Sequence, residues 1–301
     1  MRPKENVPAL RPVEIAPLPT TAAAAFLRLL DDPAPTVRRA LLAQFKSRGP
    51  AATAFLHTIA HGPDAALARH AAQFLQGLDR GDPVAEFSHF IRSRKYELEL
   101  GAFLMARIAT PRLDPSKTCT ALDAIATRCR ELIVEPASTR EKCRILNRVL
   151  FHEWAFHGNT ENYTDPKNNF IDQVLARRTG VPLTLCLLYL LVSARLGLPL
   201  QPVGLPGHFI VGCFDEEPPF FIDAFSRGVF LDREEISALM KDNRITLQPT
   251  DLTPTTVREV LCRSCRNLVN HYTIGGDPAR AQIFSRFVDE FHATYARPSV
   301  G

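Results

Sequence analysis

The sequence predicts an α+β protein in which a helical N-terminal region precedes a core made of a buried helix packed on a small antiparallel sheet. Residues 21–110 contain Ala- and Leu-rich segments separated by prolines and glycines, a pattern typical of successive short helices. Residues 182–194 carry no charge and place apolar side chains on every helical face, so this helix must be surrounded by protein. Residues 208–214 and 220–225 are β-rich runs separated by turn-forming residues, and together they predict a hairpin.

The predicted buried helix has clear ends. Pro182 suits the first turn, where a backbone N–H is not needed, and Gly197 followed by Leu198-Pro199 stops the helix. At 13 residues the segment is too short for a bilayer, which needs about 20. We therefore expect no membrane partner.

The chain divides into four predicted segments. Residues 1–20 contain five prolines and predict a disordered leader. Residues 21–110 form the helical region, residues 111–250 the core, and residues 251–301 a C-terminal helical pair.

A short motif recurs within the helical region. A proline followed four residues later by Val-Arg-Arg or Leu-Ala-Arg occurs at Pro33 and again at Pro63, 30 residues further on. This repetition resembles HEAT-type repeats, which stack helical hairpins. A plain helical bundle explains the same pattern equally well.

The composition is that of an ordinary globular chain, with 46% hydrophobic and 23% charged residues. The net charge is only +4 and the basic residues are dispersed, so we expect no nucleic-acid partner. Seven cysteines, an odd number without framework spacing, indicate a reducing compartment. No apolar stretch typical of a signal peptide follows Arg2 and Lys4, so we expect a cytoplasmic protein.

One histidine and one aspartate stand out in the predicted hairpin. The midpoint between His208 and Asp223 falls at position 215.5, inside the predicted turn, so the two residues should lie nearly opposite each other. A carboxylate in that position could orient an imidazole, as a base and its orienting group require. The alternative is that His208 ends a strand at the surface and Asp223 caps a turn.

The second half of the chain carries several motifs in a recognisable order and spacing: Phe156-His157-Gly158-Asn159, Arg178-Thr179-Gly180-Val181-Pro182, Ala194-Arg195-Leu196-Gly197-Leu198-Pro199, Pro206-Gly207-His208-Phe209 and Ile222-Asp223-Ala224-Phe225. Over roughly residues 140–240 the chain resembles the transglutaminase-like superfamily and, within it, the SirB-type branch. The resemblance implies a papain-like core, with a nucleophile helix packed on an antiparallel sheet. It also implies that active members use a Cys, His and Asp triad.

The chain departs from active members at the nucleophile position. The spacing of the matching motifs, taken from the resemblance, places the nucleophile position at Pro182. Because proline has no nucleophilic atom, this position is degenerate. Cys186 lies four residues later, one helical turn inward and about 6 Å further along the axis. A helix N-terminus lowers a thiol pKa, whereas an apolar interior raises it. We interpret Cys186 as a core thiol, and Thr184 is a weaker alternative nucleophile.

Four residues are candidates to line a cleft beside this helix: Asn159 and Tyr163 in the polar loop before it, and Pro182 and Thr184 in its first turn. Either loop residue could donate a hydrogen bond to a bound carbonyl. No cofactor is expected. The single Cys-x-x-Cys at 262–265 could suggest zinc, but it lacks a second cysteine pair and lies on an apolar helical stripe, so we expect no metal site.

Two functions of different class follow. The first is a non-catalytic module that binds a protein or peptide, and the resemblance supports it because the same domain is found in a eukaryotic ubiquitin-ligase subunit. The second is a cysteine-dependent amide or ester hydrolase or acyl transferase. In that alternative Cys186 is the nucleophile, His208 the base and Asp223 the orienting carboxylate.

Overall fold

The computed structural model describes residues 18–79, 81–242 and 245–296. The chain divides into two units, Met1–Asp82 and Pro83–Gly301. Of the predicted leader at 1–20, residues 1–17 lie outside the described residues, and Thr20 is the first residue of the first helix.

The first unit consists, in its described residues, of the helices α1 (Thr20–Leu29), α2 (Pro35–Arg48), α3 (Pro50–Ala60) and α4 (Ala65–Asp79). Proline occupies the first position of α2 and of α3, where its missing N–H costs nothing. The ring of Phe45 packs against Phe26 at 4.8 Å and Phe74 at 5.2 Å, which ties α1, α2 and α4 into one hydrophobic cluster. The interpretation of this region as HEAT-like repeats stays a prediction.

The second unit contains nine described helices and six described strands. The helices are α5 (Pro83–Ser93), α6 (Leu98–Ala109), α7 (Pro115–Leu132), α8 (Thr139–Asn147), α9 (Ile171–Arg177), α10 (Pro182–Arg195), α11 (Arg233–Asp242), α12 (Val257–Ile274) and α13 (Pro278–Ala296). The strands are β1 (His157–Gly158), β2 (Thr179–Gly180), β3 (Leu200–Val203), β4 (Ile210–Cys213), β5 (Phe220–Asp223) and β6 (Val229–Leu231). Short π-helical and 3-10 segments follow α8 and precede α9 and α12, at Arg148–Glu153, Pro166–Asn169 and Pro249–Leu252.

Helix α10 forms the centre of this unit, and the predicted α+β class is confirmed. Every residue of α10 from Pro182 to Ser193 is buried, because the helix has no polar face to turn toward water. The strands β3-β4-β5-β6 form an antiparallel sheet in that order, and Val211 and Ile222 on its central strands belong to the same hydrophobic cluster as α10. Strands β1 and β2 form a separate parallel pair beside the start of α10.

The division between the two compact units lies at Asp82. The predicted domain boundaries stay predictions. Helices α5 and α6 share a hydrophobic cluster with the C-terminal helices, in which Phe87 packs on Phe287 at 4.9 Å. Helix α6 approaches α12 closely, since a Cβ added at Gly101 would lie 2.5 Å from Leu261 Cδ1. The aromatic side chains of α5 therefore join it to the second unit.

Among the residues that the structure describes, none of the helices combines the length and the hydropathy that a bilayer-spanning helix needs.

A buried hydrogen-bond chain links α10 to the turn that follows β5. Tyr189 is fully buried, and its hydroxyl donates to Asn147 Oδ1 at 2.8 Å. The Asn147 amide then donates to the carbonyl of Gly228 at 2.6 Å. A Cβ at Gly228 would meet Asn147 Cγ at 2.4 Å, so the close approach requires glycine.

We expect Tyr189→Phe to lower the free energy of unfolding by about 1–3 kcal/mol, because it leaves Asn147 Oδ1 buried without its donor. Urea denaturation measures this change. Tyr163→Phe is the matched control, since the structure gives its hydroxyl no hydrogen bond to a described residue, and it should change the stability by less than about 0.5 kcal/mol. Equal effects of the two variants on the free energy of unfolding would contradict the hydrogen bond from Tyr189 to Asn147.

Candidate functional site

His208 and Asp223 are brought together as the sequence spacing predicts. His208 Nε2 donates to Asp223 Oδ2 at 3.0 Å. The strand register differs from the predicted one, however, because Val211 pairs with Ile222, and the ladder continued by one residue would place Ile210 opposite Asp223. His208 therefore precedes β4 by two residues and reaches the carboxylate from the loop before the strand.

The Asp223 carboxylate also caps the turn after β5. Its Oδ1 accepts from the backbone N–H groups of Phe225 at 2.9 Å and Ser226 at 3.2 Å, and its Oδ2 accepts from Ser226 Oγ at 2.9 Å. Burial raises the pKa of Asp223, but the hydrogen bond and charge of His208, together with the Ser226 donors, bring it below its ordinary value. The same carboxylate thus orients an imidazole and caps a turn, which the sequence left as alternatives.

Cys186 is sealed in the core. Its side chain is fully buried, and Sγ donates to the carbonyl oxygen of Phe209 at 3.2 Å. Burial raises the pKa of this thiol well above 9.0, and the negative charge of Asp223 raises it further, with only partial relief from the Ala224 N–H. Between Cys186 and the His208 ring, the described structure shows no hydrogen bond.

The predicted residues of the first turn of α10 are also buried. Pro182 is the first residue of the helix, and Thr184 is only 2% exposed. Position 182 presents a proline ring and no nucleophilic atom.

The loop between β1 and α9 is held by asparagine side chains. Asn159 Oδ1 accepts from the Asn162 N–H at 2.9 Å, and its Nδ2 donates to Asn168 Oδ1 at 3.1 Å. Asn168 Nδ2 donates in turn to the carbonyls of Asn162 at 2.8 Å and Tyr163 at 3.2 Å. These asparagines organise the loop. The N-cap position of α9 is occupied by Phe170, which makes no side-chain hydrogen bond there.

A second contact fixes this loop to α12. Asn169 Nδ2 lies 2.9 Å from His271 Nδ1 in the interior, and burial lowers the pKa of His271. The ring of Tyr163 lies 5.9 Å from His271 and 6.3 Å from Phe225. Tyr163 therefore packs between α12 and the turn after β5.

Two adjoining clefts open around β1. One encloses about 380 Å³ and is lined by His157, Gly158, Thr160, Phe225, Ser226 and Arg227. The other encloses about 460 Å³ and is lined by His157, Gly158, Asn159, Thr160, Glu161, Asn162, Arg177 and Thr179. Of the four predicted cleft residues only Asn159 lines either of these two clefts.

Sequence reasoning missed most of the lining residues. The available signal was the pair of motifs Phe156-His157-Gly158-Asn159 and Ile222-Asp223-Ala224-Phe225, which contribute to the two walls. These motifs carried the family resemblance but did not indicate that Gly158 and Phe225 meet. A Cβ at Gly158 would lie 2.4 Å from the Phe225 ring, so only glycine permits this approach.

One edge of strand β1 makes no backbone hydrogen bond to another strand that the structure describes. His157 N donates to Arg178 O at 2.9 Å and Asn159 N donates to Gly180 O at 3.0 Å, so these two residues pair with β2. In a parallel ladder successive residues direct their N–H and C=O groups to opposite sides. The backbone groups of Gly158 therefore point away from β2, on the edge that an additional strand could use.

Unusual backbone conformations surround the clefts. Among the described residues, four other than glycine have positive φ, and three of them are Ala155 (56°), Arg178 (63°) and Arg227 (56°). Ala155 lies two residues before the lining residue His157, Arg178 lies between the lining residues Arg177 and Thr179, and Arg227 lines one cleft directly. Such conformations are costly and cluster at functional sites.

In the described part of the chain, no group of three or more His, Cys, Asp or Glu side chains is arranged to hold a metal ion. All seven cysteines are free thiols, and Cys262 and Cys265 are buried within α12.

Comparison with known proteins identifies related chains. Residues 116–266, half of the chain, match the transglutaminase-like superfamily. A UPF0162 protein of Xylella fastidiosa (strain 9a5c) is 33% identical over 177 residues, which cover 57% of this chain and 63% of the relative. A UPF0162 protein of Vibrio cholerae is 29% identical over 131 residues, 43% of this chain and 48% of the relative.

A eukaryotic protein also matches. Human F-box only protein 21 is 37% identical over 103 residues, which cover 32% of this chain and 16% of that protein. The chain thus spans less than two thirds of the length of these curated relatives. No solved structure matches.

We expect Cys186 in the native protein to react with iodoacetamide roughly hundredfold more slowly than in the denatured protein, because its thiol is buried and its pKa is raised. Site-resolved mass spectrometry measures the rate, with the partly exposed Cys119 as an internal control. The rate should be the same in His208→Ala. Fast labelling below pH 7 that disappears in this variant would reveal a histidine-activated thiolate and contradict the buried-thiol assignment.

The lowered pKa of Asp223 predicts a pH dependence of stability. A carboxyl group with a depressed folded-state pKa stabilises the fold above its unfolded value, here 3.8, and the contribution is lost as pH falls through the folded value. We expect Asp223→Asn to cost about 1–3 kcal/mol at pH 7 and progressively less below pH 4. Urea denaturation across pH 7 to 3 measures the difference, with the exposed Glu161→Gln as control. A difference independent of pH would show that the carboxylate charge is not what stabilises the turn.

Proposed function

Because the chain belongs to the transglutaminase-like superfamily, we propose that it uses the family fold as a non-catalytic module that binds an extended peptide segment of a protein partner. The observation that carries the proposal is the free edge of β1 at Gly158, which lies between two adjoining clefts. An extended peptide can add to such an edge through main-chain hydrogen bonds while its alternate side chains enter the flanking pockets.

The absence of catalysis in this proposal is supported by the nucleophile position. Pro182 occupies the position that the resemblance assigns to the nucleophile. Cys186, the nearest thiol on the helix, donates to the Phe209 carbonyl and has a pKa raised far above neutrality. A thiol in this state is a poor nucleophile because the thiolate is the reactive form.

The distribution of the domain supports a binding role as well. In human F-box only protein 21 the matched segment is 16% of the protein, so there the domain is one part of a much longer chain. A module that recognises a partner serves such an arrangement, and we extend the role to this chain.

The alternative function is a cysteine-dependent amide or ester hydrolase or acyl transferase that uses Cys186, His208 and Asp223. The 3.0 Å hydrogen bond between His208 and Asp223 favours it, since a base held by a carboxylate is part of that chemistry. For this function the Cys186 thiol would have to leave the Phe209 carbonyl and reach the imidazole. The labelling experiment on Cys186 and His208→Ala distinguishes the two functions.

We also propose a reducing, cytoplasmic location and a protein partner in preference to nucleic acid. Seven free cysteines support the location. The dispersed basic residues and the net charge of +4 support the choice of partner.

The proposal predicts that peptides selected from a random display library on the 301-residue protein bind in the clefts. Thr160→Trp should weaken their binding at least about tenfold, because Thr160 is exposed, lines both clefts and can be enlarged without disturbing the core. Fluorescence anisotropy gives the dissociation constants. Thr273→Trp is the matched control, since Thr273 is exposed on α12 and lines neither cleft. Failure to select any peptide sensitive to Thr160→Trp would refute the binding function.

A further inference from the structure

The charges on the cleft walls are unequal. Arg227 lines the first cleft, whereas Arg177 and Glu161 line the second. Arg177 Nη2 already pairs with Asp165 Oδ2 at 2.9 Å. Arg227 is exposed and makes no ion pair with any residue that the structure describes. Positive charge is therefore available at the Arg227 end, and negative charge lies at the Glu161 end.

The backbone holds Arg227 in a defined position at the cleft rim. Its φ of 56° places it in the left-handed region, and the next residue, Gly228, follows with a φ of 77°. Gly228 is pinned on Asn147 through the 2.6 Å hydrogen bond to its carbonyl. On the other side, Ser226 is bound to the Asp223 carboxylate through both its N–H and its hydroxyl. The guanidinium thus extends from a turn that is anchored before and after it.

We propose that the cleft selects a peptide segment bearing an Asp or Glu side chain, whose carboxylate pairs with Arg227 while the segment's backbone bonds to Gly158. This inference rests on the proposed peptide-binding function. A guanidinium recognises a carboxylate through two parallel hydrogen bonds, which gives orientation as well as affinity. Arg227 is the selecting group because Arg177 is already paired.

The same charges give the segment a direction. Glu161 repels a carboxylate at the far end of the clefts, so the acidic side chain is accepted at the Arg227 end only. A neutral or basic side chain follows toward Glu161.

The test uses one peptide from the display selection that contains a Glu, synthesised with an amidated C-terminus so that no terminal carboxylate competes. Its Glu→Gln form is compared with the parent on the wild-type protein and on Arg227→Gln. The Glu→Gln change should weaken binding about tenfold on the wild type and less than about twofold on Arg227→Gln. Arg227→Lys should retain part of the preference. Arg112→Gln, a change of the same charge at an exposed residue outside the clefts, should leave the preference intact.

The outcomes separate this inference from the function on which it rests. Selected peptides that are blocked by Thr160→Trp but lack acidic residues, or an equal Glu→Gln effect on the wild type and on Arg227→Gln, would overturn the acidic preference and leave the binding function standing. If no selected peptide loses binding to the Thr160→Trp variant, both the acidic preference and the binding function are overturned. Thermal unfolding of Arg227→Gln and Arg227→Lys verifies that both variants are folded.

Discussion

The absence of a polar face on α10 is the constraint on which the second unit depends. A helix that is apolar all round must be covered on every side, since each uncovered apolar side chain forgoes roughly 1.5–3 kcal/mol of burial. The strands β4 and β5 and the helices α7 and α8 supply residues to the same cluster. The same covering closes over Cys186, so its thiol is sealed by the requirement that makes the helix a core element.

The buried side chains of Tyr189, Asn147 and Asp223 are paired, and their pairing shapes the candidate site. Tyr189 reaches Asn147, and Asn147 reaches Gly228 beside the turn after β5. The Asp223 carboxylate then holds that turn and His208 together. A buried polar group that loses its hydrogen bond destabilises the fold. The hydrogen bonds from Tyr189 through Asn147 to Gly228 therefore fix one wall of the clefts relative to α10.

The residues that line the two clefts are different from Cys186, His208 and Asp223, the residues of the alternative catalytic function. The His208–Asp223 pair persists, yet its carboxylate has a sufficient structural role as a turn cap. Three of the four described non-glycine residues with positive φ lie around β1 and the turn after β5. Backbone conformations of this kind cluster at functional sites, whereas the Asp223 carboxylate is already used to cap a turn.

The sequence by itself determined the elements and the central helix. Its uncharged run from Pro182 to Ala194 predicted a helix buried on all sides, and the structure has α10 at Pro182–Arg195 with its first twelve residues buried. The hairpin and the His208–Asp223 contact were also predicted, although His208 makes the contact from the loop before β4 and not from a paired strand position. Local periodicity and turn chemistry are encoded over a few residues, so they can be seen without the fold.

Only the tertiary structure decided where the accessible chemistry lies. Pro182 and Thr184 are near the start of the helix in sequence, but burial removes them from the surface. Gly158 and Phe225 are 67 residues apart in the chain and meet because the loop after β1 and the turn after β5 converge beside α10. Likewise, α5 and α6 join the second unit through a hydrophobic cluster that they share with helices near the far end of the chain. Accessibility and long-range contact depend on how elements pack, and the periodicity of any one segment does not contain that information.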